Sequence, residues 1–193
     1  MNEFYAYLDR MKFIDRWQLM RSTRAENIME HSHSVAVLTH ALAVIENEVF
    51  GGSVDAGKAV FYALYHEVSE VMTGDMPTPV KYFNAQIRGE YAKLEDRAVE
   101  KIAATLPEPV RKGLSPFLQP DRASQEYRFM KAADKLSAYL KCLEELRSGN
   151  REFVQAEKST REALSGMHLR AVDYFFETFI PAFSLTLDEL EGL

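Results

Sequence analysis

The 193-residue sequence has a single cysteine, Cys142, so it can form no intrachain disulfide and no zinc cluster of several cysteines. It also lacks any run of about 18 apolar residues, which a transmembrane helix requires. The first residues, MNEFYAYLDRMKF, carry acidic side chains early and no long apolar stretch, so they do not predict a signal peptide. Together these absences predict a cytoplasmic protein that does not enter a membrane.

Positive charge is scarce as well. Lys and Arg number 23 against 29 Asp and Glu, which gives a formal net charge of −6. Proteins that bind nucleic-acid polymers or anionic membranes need a basic face, so this balance disfavours both classes of partner. A local basic pocket for one small phosphate is compatible with the composition.

Hydrophobic residues make up 47% of the sequence and recur at helical spacing along nearly all of it. Asp55, Asn84 and Asn150 are candidate N-caps, and Gly51-Gly52 predicts a helix end. Strand-like alternation is confined to the short segment Phe183–Leu187. Because the length suits one core, we predict a single all-α helical bundle over residues 1–193. The predicted helices run from Met29 to Phe50, Asp55 to Gly74, Asn84 to Pro107, Ala123 to Arg147, onward from Asn150, and from Asp173 to Phe183. A short proline-bounded piece, Pro109 to Leu118, follows the third of them.

Two segments, Asp15–Arg21 and Thr73–Lys81, fit neither helical periodicity nor an ordinary connecting loop. Long loops on a rigid helical frame are common places for binding and catalytic residues. We therefore expect these two segments to contribute to function.

Four residues have side chains that suit a metal: His31, His66, Glu67 and Asp134. Asp134 interrupts an apolar helical stretch, and a carboxylate there costs free energy unless it is paired or binds a cation. Imidazole nitrogen and carboxylate oxygen together suit divalent transition metals. Taken singly, each residue has a commoner explanation, a core or surface histidine or an ion-paired aspartate.

The segment His66-Glu67-Val68-Ser69-Glu70 begins like the His-Glu-x-x-His helix of zinc peptidases. That motif works because two histidines one turn apart hold the same metal. Glu70 replaces the second histidine, so a peptidase is disfavoured. The spacing places the Glu70 carboxylate on the same side of the predicted helix as His66, although a solvated helix carboxylate is the commoner explanation.

Glu30-His31-Ser32, His66-Glu67 and Asp134 resemble the H…HD…D metal set of the HD-domain phosphohydrolase superfamily. The sequence is similar in particular to the bacterial 5′-deoxynucleotidase branch of that superfamily (YfbR-like). The similarity extends from Phe4 to about Glu189. The more specific signatures are Arg16-Trp17, the loop TGDMPTPVKYFN (residues 73–84) and the helix AYLKCLEEL (residues 138–146).

The resemblance implies an all-helical HD fold, a homodimer, and a divalent cation such as cobalt or manganese. It also implies removal of phosphate from deoxyribonucleoside 5′-monophosphates, with discrimination against ribonucleotides. By position, Glu70 would be the catalytic carboxylate, Asp75 would organise water and substrate, and Arg16 would hold the phosphate. The metal ligands would be His31, His66, Glu67 and Asp134. The substrate-binding residues would be Arg16, Trp17 (where a ribose 2′-hydroxyl would sit), His31, Glu67, Asp75, Met76, Pro77, Thr78 and Asp134.

One residue departs from the family pattern, which has Asp where this sequence has Glu67. The extra methylene extends the carboxylate by roughly 1.2–1.5 Å, about one C–C bond. A metal–oxygen bond tolerates only about ±0.2 Å, so the backbone, the rotamer or the metal must adjust. The departure leaves three outcomes open: retained activity, altered metal preference, or a site that binds without turnover.

Three alternatives therefore stand beside a 5′-deoxynucleotidase. One is another HD hydrolase, such as a deoxynucleoside triphosphohydrolase, although the compact chain and Arg16-Trp17 favour monophosphates. The second is a catalytically impaired protein that binds deoxynucleotides without releasing phosphate. The third is a helical scaffold, which would leave Asp134 and the Arg16-Trp17 pair unexplained.

Overall fold

The computed structural model describes residues 1–192. Eleven α-helices occur in that range, with a π-helical turn at Ile45–Val49 and short 3₁₀ turns at Arg10–Phe13, Arg151–Phe153 and Ile180–Ser184. The same range contains no strand, only one isolated antiparallel bridge between Asp15 and Asn27. The helices are α1 (Phe4–Asp9), α2 (Ile28–Val44), α3 (Ala56–Tyr65), α4 (Glu70–Thr73), α5 (Thr78–Lys81), α6 (Ala85–Ala103), α7 (Glu108–Leu118), α8 (Gln125–Arg147), α9 (Val154–Ser165), α10 (Arg170–Thr178) and α11 (Leu187–Glu191).

The main core lies where α2, α3 and α8 pack together, with α9 and α10 against α8 and α2. Its centre is fully apolar: Leu42 of α2, Ala63 of α3 and Leu136 of α8 are inaccessible to solvent. Burial of such side chains gives each about 1.5–3 kcal/mol, and this holds the three helices in a fixed relation. The segments that bear the four candidate metal ligands are thus attached to the most rigid part of the molecule.

A second, smaller cluster joins α1, α6 and α7 to the residues after α3. It consists of Phe4, Val68, Ile102, Leu106 and Leu118. Val68 has no solvent exposure, and it lies between His66 and Glu70 in the chain. The cluster therefore anchors the segment that carries three of the predicted site residues.

The prediction of one continuous helix from Asp55 to Gly74 is wrong. Helix α3 ends at Tyr65, a turn follows over residues 66–69, and α4 begins at Glu70. In that turn the amides of Val68 and Glu70 bond three residues back, to Tyr65 O and Glu67 O at 3.2 and 3.0 Å, so the chain is wound more tightly than an α-helix. The helical spacing of Val60, Leu64, Val68 and Met72 also predicts one buried stripe, and this is wrong because Leu64 and Met72 are each 40% exposed.

The boundaries of the helix predicted from Asp173 to Phe183 also differ from the observed ones. Helix α10 begins at Arg170, three residues before the predicted start, and ends at Thr178. The segment Ile180–Ser184 is a 3₁₀ turn rather than more helix or a strand. Pro181 has no backbone N–H to continue the α-helical bonds, which accounts for this ending. None of the helices in residues 1–192 is long and apolar enough to cross a membrane.

Candidate metal and phosphate site

The four candidate metal ligands come from three parts of the main core. His31 lies in the first turn of α2, where the Asn27 side chain caps the helix by accepting from the amides of Met29 and Glu30, both at 3.0 Å. His66 and Glu67 lie in the turn between α3 and α4, and Asp134 lies in the middle of α8. Packing of α2 and α3 against α8 brings the three positions together.

These four side chains form one compact group. One ligand atom from each of His31, His66, Glu67 and Asp134 lies within 4.8 Å of the others. Nε2 of His66 is 3.0 Å from Glu67 Oε1, and Nε2 of His31 is 3.2 Å from Asp134 Oδ1 and 3.6 Å from Glu67 Oε1. Two ligands held about 2.1 Å from one ion lie about 3.0–3.4 Å apart at octahedral or tetrahedral angles. The observed separations fit that range closely enough for a single small cation.

The histidine hydrogen bonds support the same conclusion. Nδ1 of His66 is 2.7 Å from the carbonyl oxygen of Ala63, so this nitrogen carries the proton and Nε2 has a free lone pair. The Nε2 atoms of His31 and His66 are both buried, and although carboxylate oxygens lie 3.0–3.6 Å away, neither nitrogen makes a well-aligned hydrogen bond in the described residues. Two buried ring nitrogens that converge with two carboxylates form a donor set suited to a divalent transition metal, so the residues present fit such an ion.

The carboxylates of the group are held ionised. Burial alone would raise the pKa of Asp134, but Lys131, at 2.5 Å, and His31 together lower it well below its ordinary value. For Glu67 burial is again opposed, here chiefly by His66 and then by His31, and the pKa is lowered well below its ordinary value. Ionised carboxylates are the form that binds a cation.

The pKa of Glu70 is shifted in the opposite direction to those of Glu67 and Asp134. Glu70 is buried at the start of α4, and its Oε2 has no hydrogen-bond partner in the described residues. Burial, followed by the negative charges of Glu67 and Asp75, raises the pKa of Glu70 to about 10. The raised pKa favours the protonated form of Glu70 next to the ionised Glu67, and such a contrast between neighbouring carboxyl groups is typical of acid–base sites. The predicted shared helix face is corrected: the tight turn, rather than one continuous helix, brings Glu70 beside Glu67.

Arg16 and Trp17 reach the site from the loop before α2. The bridge between Asp15 and Asn27 closes this loop, with Arg16 N donating to Glu26 O at 2.8 Å. The Arg16 guanidinium donates through Nη1 to Glu26 Oε2 at 2.8 Å, and the same Nη1 is 3.0 Å from Nδ1 of His31. The Arg16 side chain is 13% exposed. The predicted phosphate-binding residue thus lies directly against a predicted metal ligand.

Trp17 occupies a strained position. Its φ of 62° lies in the left-handed region, which bulky residues rarely adopt. Its indole Nε1 donates to Glu26 Oε2 at 3.1 Å, and its ring packs on that of Phe153 with the centroids 5.3 Å apart. Such strain persists only where the surroundings enforce it, and it is commonest at functional sites.

The loop after α4 supplies Asp75. Gly74 adopts φ 71° and ψ 167°, a conformation open mainly to glycine, and turns the chain toward the site. Burial, and the negative charge of Glu67, raise the pKa of Asp75 against the opposing influence of Arg16. The phenol of Tyr91 donates to Thr73 Oγ1 at 3.2 Å and so ties the loop to α6.

Three further predicted residues, Met76, Pro77 and Thr78, follow Asp75 along this loop. Met76 and Pro77 are half-buried and Thr78 is exposed at the start of α5. In residues 1–192 their side chains make no hydrogen bond to the metal group, so the structure places them beside the site without joining them to it. Sequence reasoning missed Glu26, Ser137 (3.2 Å from His31 Nδ1) and Lys131. Only Lys131 had a signal, its spacing of three from Asp134 on a helix.

Residues 3–183 match the sequence model of the family described as 5′-deoxynucleotidase YfbR-like. The chain belongs to this family. Among its curated relatives, the 5′-deoxynucleotidase of Vibrio cholerae is 49% identical over 190 residues, covering 98% of both chains. The 5′-deoxynucleotidase YfbR of Escherichia coli and the 5′-deoxynucleotidase of Erwinia tasmaniensis are each 47% identical over 190 residues, covering 98% of this chain and 96% of theirs.

Solved structures of more distant proteins share the architecture of this family member. An HD-domain phosphohydrolase from Listeria innocua superposes with a TM-score of 0.83 at 21% identity, covering 94% of this chain and 88% of the other. The HD phosphohydrolase DatZ of cyanophage S-2L, solved with dA and one catalytic Zn²⁺ ion, gives a TM-score of 0.66 at 22% identity, covering 96% and 99%. These likenesses confirm the predicted all-α HD fold.

Proposed function

We propose that this chain is a metal-dependent phosphomonoesterase that removes the 5′-phosphate of deoxyribonucleoside 5′-monophosphates and discriminates against ribonucleotides. One observation carries the proposal: two buried histidine nitrogens converge with two ionised carboxylates, directly beside the largely buried Arg16. Membership of the 5′-deoxynucleotidase family supports the substrate class.

His31, His66, Glu67 and Asp134 would hold the divalent cation. Two nitrogen and two carboxylate donors suit cobalt, manganese or a similar transition metal. A cation bound there supplies polarisation of a phosphoryl oxygen and a lowered pKa for water. The remaining chemistry belongs to side chains of the protein.

Arg16 would bind the substrate phosphate. Its side-chain hydrogen bonds in residues 1–192 all come from Nη1, which leaves the edge formed by Nε and Nη2 without a partner. A planar guanidinium edge matches two phosphate oxygens, and burial strengthens the pairing because water competes less. Arg16 therefore fixes the phosphate next to the ligand group.

Glu70 would move the proton. The leaving O5′ requires a proton and the attacking water must lose one, and a buried carboxyl within the site can serve either transfer. Asp75, which lies near both Glu70 and Arg16, would order water and the substrate. In this assignment Glu70 transfers protons, and the other carboxylates of the site stabilise charge.

Trp17 and the loop Asp75–Thr78 would form the part of the site that binds the nucleoside. A rigid indole placed where a 2′-hydroxyl would project rejects a ribonucleotide by steric clash and by leaving that hydroxyl without a partner. Met76 and Pro77 would contact the deoxynucleoside from the opposite loop. His31, Glu67 and Asp134 would also face the substrate phosphate.

The test measures phosphate release from matched deoxy- and ribonucleoside 5′-monophosphates. The protein is first stripped with a chelator and then supplied separately with cobalt, manganese, magnesium or zinc. Glu70→Gln serves as the matched variant, because it should retain the metal, as measured by metal analysis, while losing turnover. Metal-dependent release from the deoxy substrates alone is the expected result. Wild-type-like release from Glu70→Gln would refute the role of that residue.

The alternatives give different results in the same assay. Silence from this protein with activity in Glu67→Asp would indicate a deoxynucleotide-binding protein with an impaired metal site. Release of tripolyphosphate from deoxynucleoside triphosphates, without release from monophosphates, would indicate a triphosphohydrolase. We further propose that the protein acts as a homodimer in the cytoplasm, as the family resemblance implies; light scattering and cell fractionation test these two points.

A further inference from the structure

Glu26 is a buried carboxylate that has no role in the family pattern described above. It lies immediately before α2, and only 8% of its side chain is exposed. Its Oε2 accepts two hydrogen bonds at once, from Arg16 Nη1 at 2.8 Å and from Trp17 Nε1 at 3.1 Å. One oxygen atom therefore contacts both the proposed phosphate-binding residue and the proposed sugar-discriminating residue.

The position of Glu26 is itself well determined. Its carbonyl accepts from Arg16 N at 2.8 Å, and Ile28 N donates to Ile14 O at 2.9 Å on the other side of the bridge. The next residue, Asn27, caps α2. Because the backbone is held on both sides, the carboxylate can hold Arg16 and Trp17 without moving itself.

Arg16 has other carboxylates within reach of its charge. Asp134, Glu67 and Asp75 all attract the guanidinium electrostatically. Among the described residues, Glu26 is the carboxylate that accepts a hydrogen bond from the guanidinium, at 2.8 Å. Without Glu26, we expect Arg16 to turn toward these carboxylates and to lose the orientation that presents its free edge.

Trp17 needs a restraint of its own. The residue has a φ of 62°, which a tryptophan adopts only under constraint. The ring is held by the hydrogen bond to Glu26, by packing on Phe153, and by the Arg16 guanidinium, whose carbon lies 5.6 Å from the ring centroid. Without this hydrogen bond, the ring keeps its packing contacts but nothing fixes the direction of the indole N–H.

We propose that Glu26 is a positioning residue that sets phosphate affinity and sugar discrimination together, because a single carboxylate oxygen orients both Arg16 and Trp17. This inference rests on the proposed function. The proposal predicts an effect on phosphate binding opposite to that of a residue that acts only through its charge. Removal of a nearby negative charge would strengthen the binding of an anion, whereas loss of positioning weakens it.

The experiment compares wild type with Glu26→Ala and Glu26→Gln. The Gln side chain keeps an oxygen acceptor at this position and loses only the charge. Trp17→Phe is the comparison variant for sugar discrimination, because it keeps an aromatic ring and removes the indole N–H. Glu152→Gln is the matched control, since Glu152 is an exposed glutamate next to Phe153 and makes no side-chain contact with Arg16 or Trp17. Thermal melts confirm that each variant is folded at the assay temperature.

Two quantities are measured on every variant: the inhibition constant of inorganic phosphate, and the ratio of kcat/KM for a deoxy- over a ribonucleoside 5′-monophosphate. Acrylamide quenching of tryptophan fluorescence is measured on wild type and on every variant that retains Trp17. Trp17 is the only tryptophan in the sequence, so the fluorescence reports this side chain alone.

For Glu26→Ala we expect phosphate to bind about tenfold more weakly and the ratio to fall about tenfold, as loss of a charged hydrogen bond implies. Quenching of Trp17 should increase. Glu26→Gln should lie between Ala and wild type in all three. Trp17→Phe should change the ratio and leave phosphate binding unchanged, and Glu152→Gln should change nothing.

Phosphate that binds Glu26→Ala equally well or more tightly would overturn the proposal, as would an unchanged ratio. If Glu26→Ala does not fold, Glu26→Gln takes its place. The proposal is then overturned if its phosphate binding weakens by less than twofold, or if its deoxy-to-ribo ratio falls by less than twofold. If wild type itself releases no phosphate, the proposed function fails separately. Binding of the deoxy and ribo pair, measured by calorimetry, and the fluorescence then decide the role of Glu26.

Discussion

Replacement of Glu145 by Gln should destabilise the protein by about 3–4 kcal/mol. Glu145 has no solvent exposure on α8. Its carboxylate accepts from Lys141 Nζ at 2.6 Å, from Asn150 Nδ2 at 2.8 Å, and from the amide and hydroxyl of Thr23, both at 2.8 Å. Lys141 also donates to Arg24 O at 2.7 Å. This network attaches the loop that carries Arg16 and Trp17 to the core.

The magnitude follows from the pKa of Glu145. Burial opposes ionisation, but the hydrogen bonds from Lys141, Asn150 and Thr23 prevail and lower the pKa from 4.5 to about 2. A difference of about 2.5 between unfolded and folded pKa values corresponds to about 3.4 kcal/mol. Removal of one partner from a buried ion pair costs a similar amount, about 3–5 kcal/mol. Two independent arguments therefore give the same range.

The assay is urea unfolding of the metal-stripped protein, followed over a range of pH. Because the folded pKa is depressed, the contribution of Glu145 is complete above pH 4.5 and is lost as the pH falls from 4.5 toward 2. The difference between wild type and Glu145→Gln should shrink over that interval. Glu144→Gln is the control, since Glu144 is 43% exposed and its pair with Arg24 should contribute less than about 1 kcal/mol. A loss below about 1 kcal/mol for Glu145→Gln at pH 7 would refute the reasoning.

Further outcomes can be measured on the same protein. Gly74→Ala should cost about 1–3 kcal/mol and lower kcat, because φ is 71° there, whereas Gly89→Ala, at an exposed position of α6, should stabilise by about 0.5–1 kcal/mol; urea titration and initial rates decide. The thiol of Cys142 should resist a thiol reagent at pH 8 until the protein is denatured, because burial raises its pKa to about 12. Addition of a divalent metal at about 100 times its dissociation constant should raise stability by about 2.7 kcal/mol, seen as a higher Tm, and an unchanged Tm would contradict metal binding at this group.

The helices were predictable where local chemistry decides them. Asp55, Asn84 and Asn150 all cap as expected, with their side chains accepting from Lys58 N at 2.9 Å, Ile87 N at 2.8 Å and Glu152 N at 3.3 Å. The interruption at residues 66–69 was not predictable in this way. The apolar spacing continues across it, and the tight turn is stabilised by packing of Val68 against distant helices rather than by its own sequence.

The same distinction applies to the site. The closeness of the four candidate ligands and Arg16 was predictable because motifs and family resemblance point to residue types at fixed positions. Glu26 was not found, since it is ten residues from Arg16 and meets it only because the bridge at Asp15 and Asn27 folds the loop back. Contacts made by loop closure have no periodicity that a sequence can display.

The turn at residues 66–69 also bears on the departure at Glu67. Within a regular helix, an added methylene would displace the carboxylate by about one bond length with little freedom to compensate. Glu67 instead lies in the tight turn between α3 and α4, so its carboxylate starts from a backbone geometry different from that of a regular α-helix. Its Oε1 still lies 3.0 Å from His66 Nε2 and 3.6 Å from His31 Nε2. The longer side chain therefore remains within the candidate ligand group. We expect Glu67→Asp to change metal preference more than the rate of phosphate release, which rates measured with separately supplied cations would check.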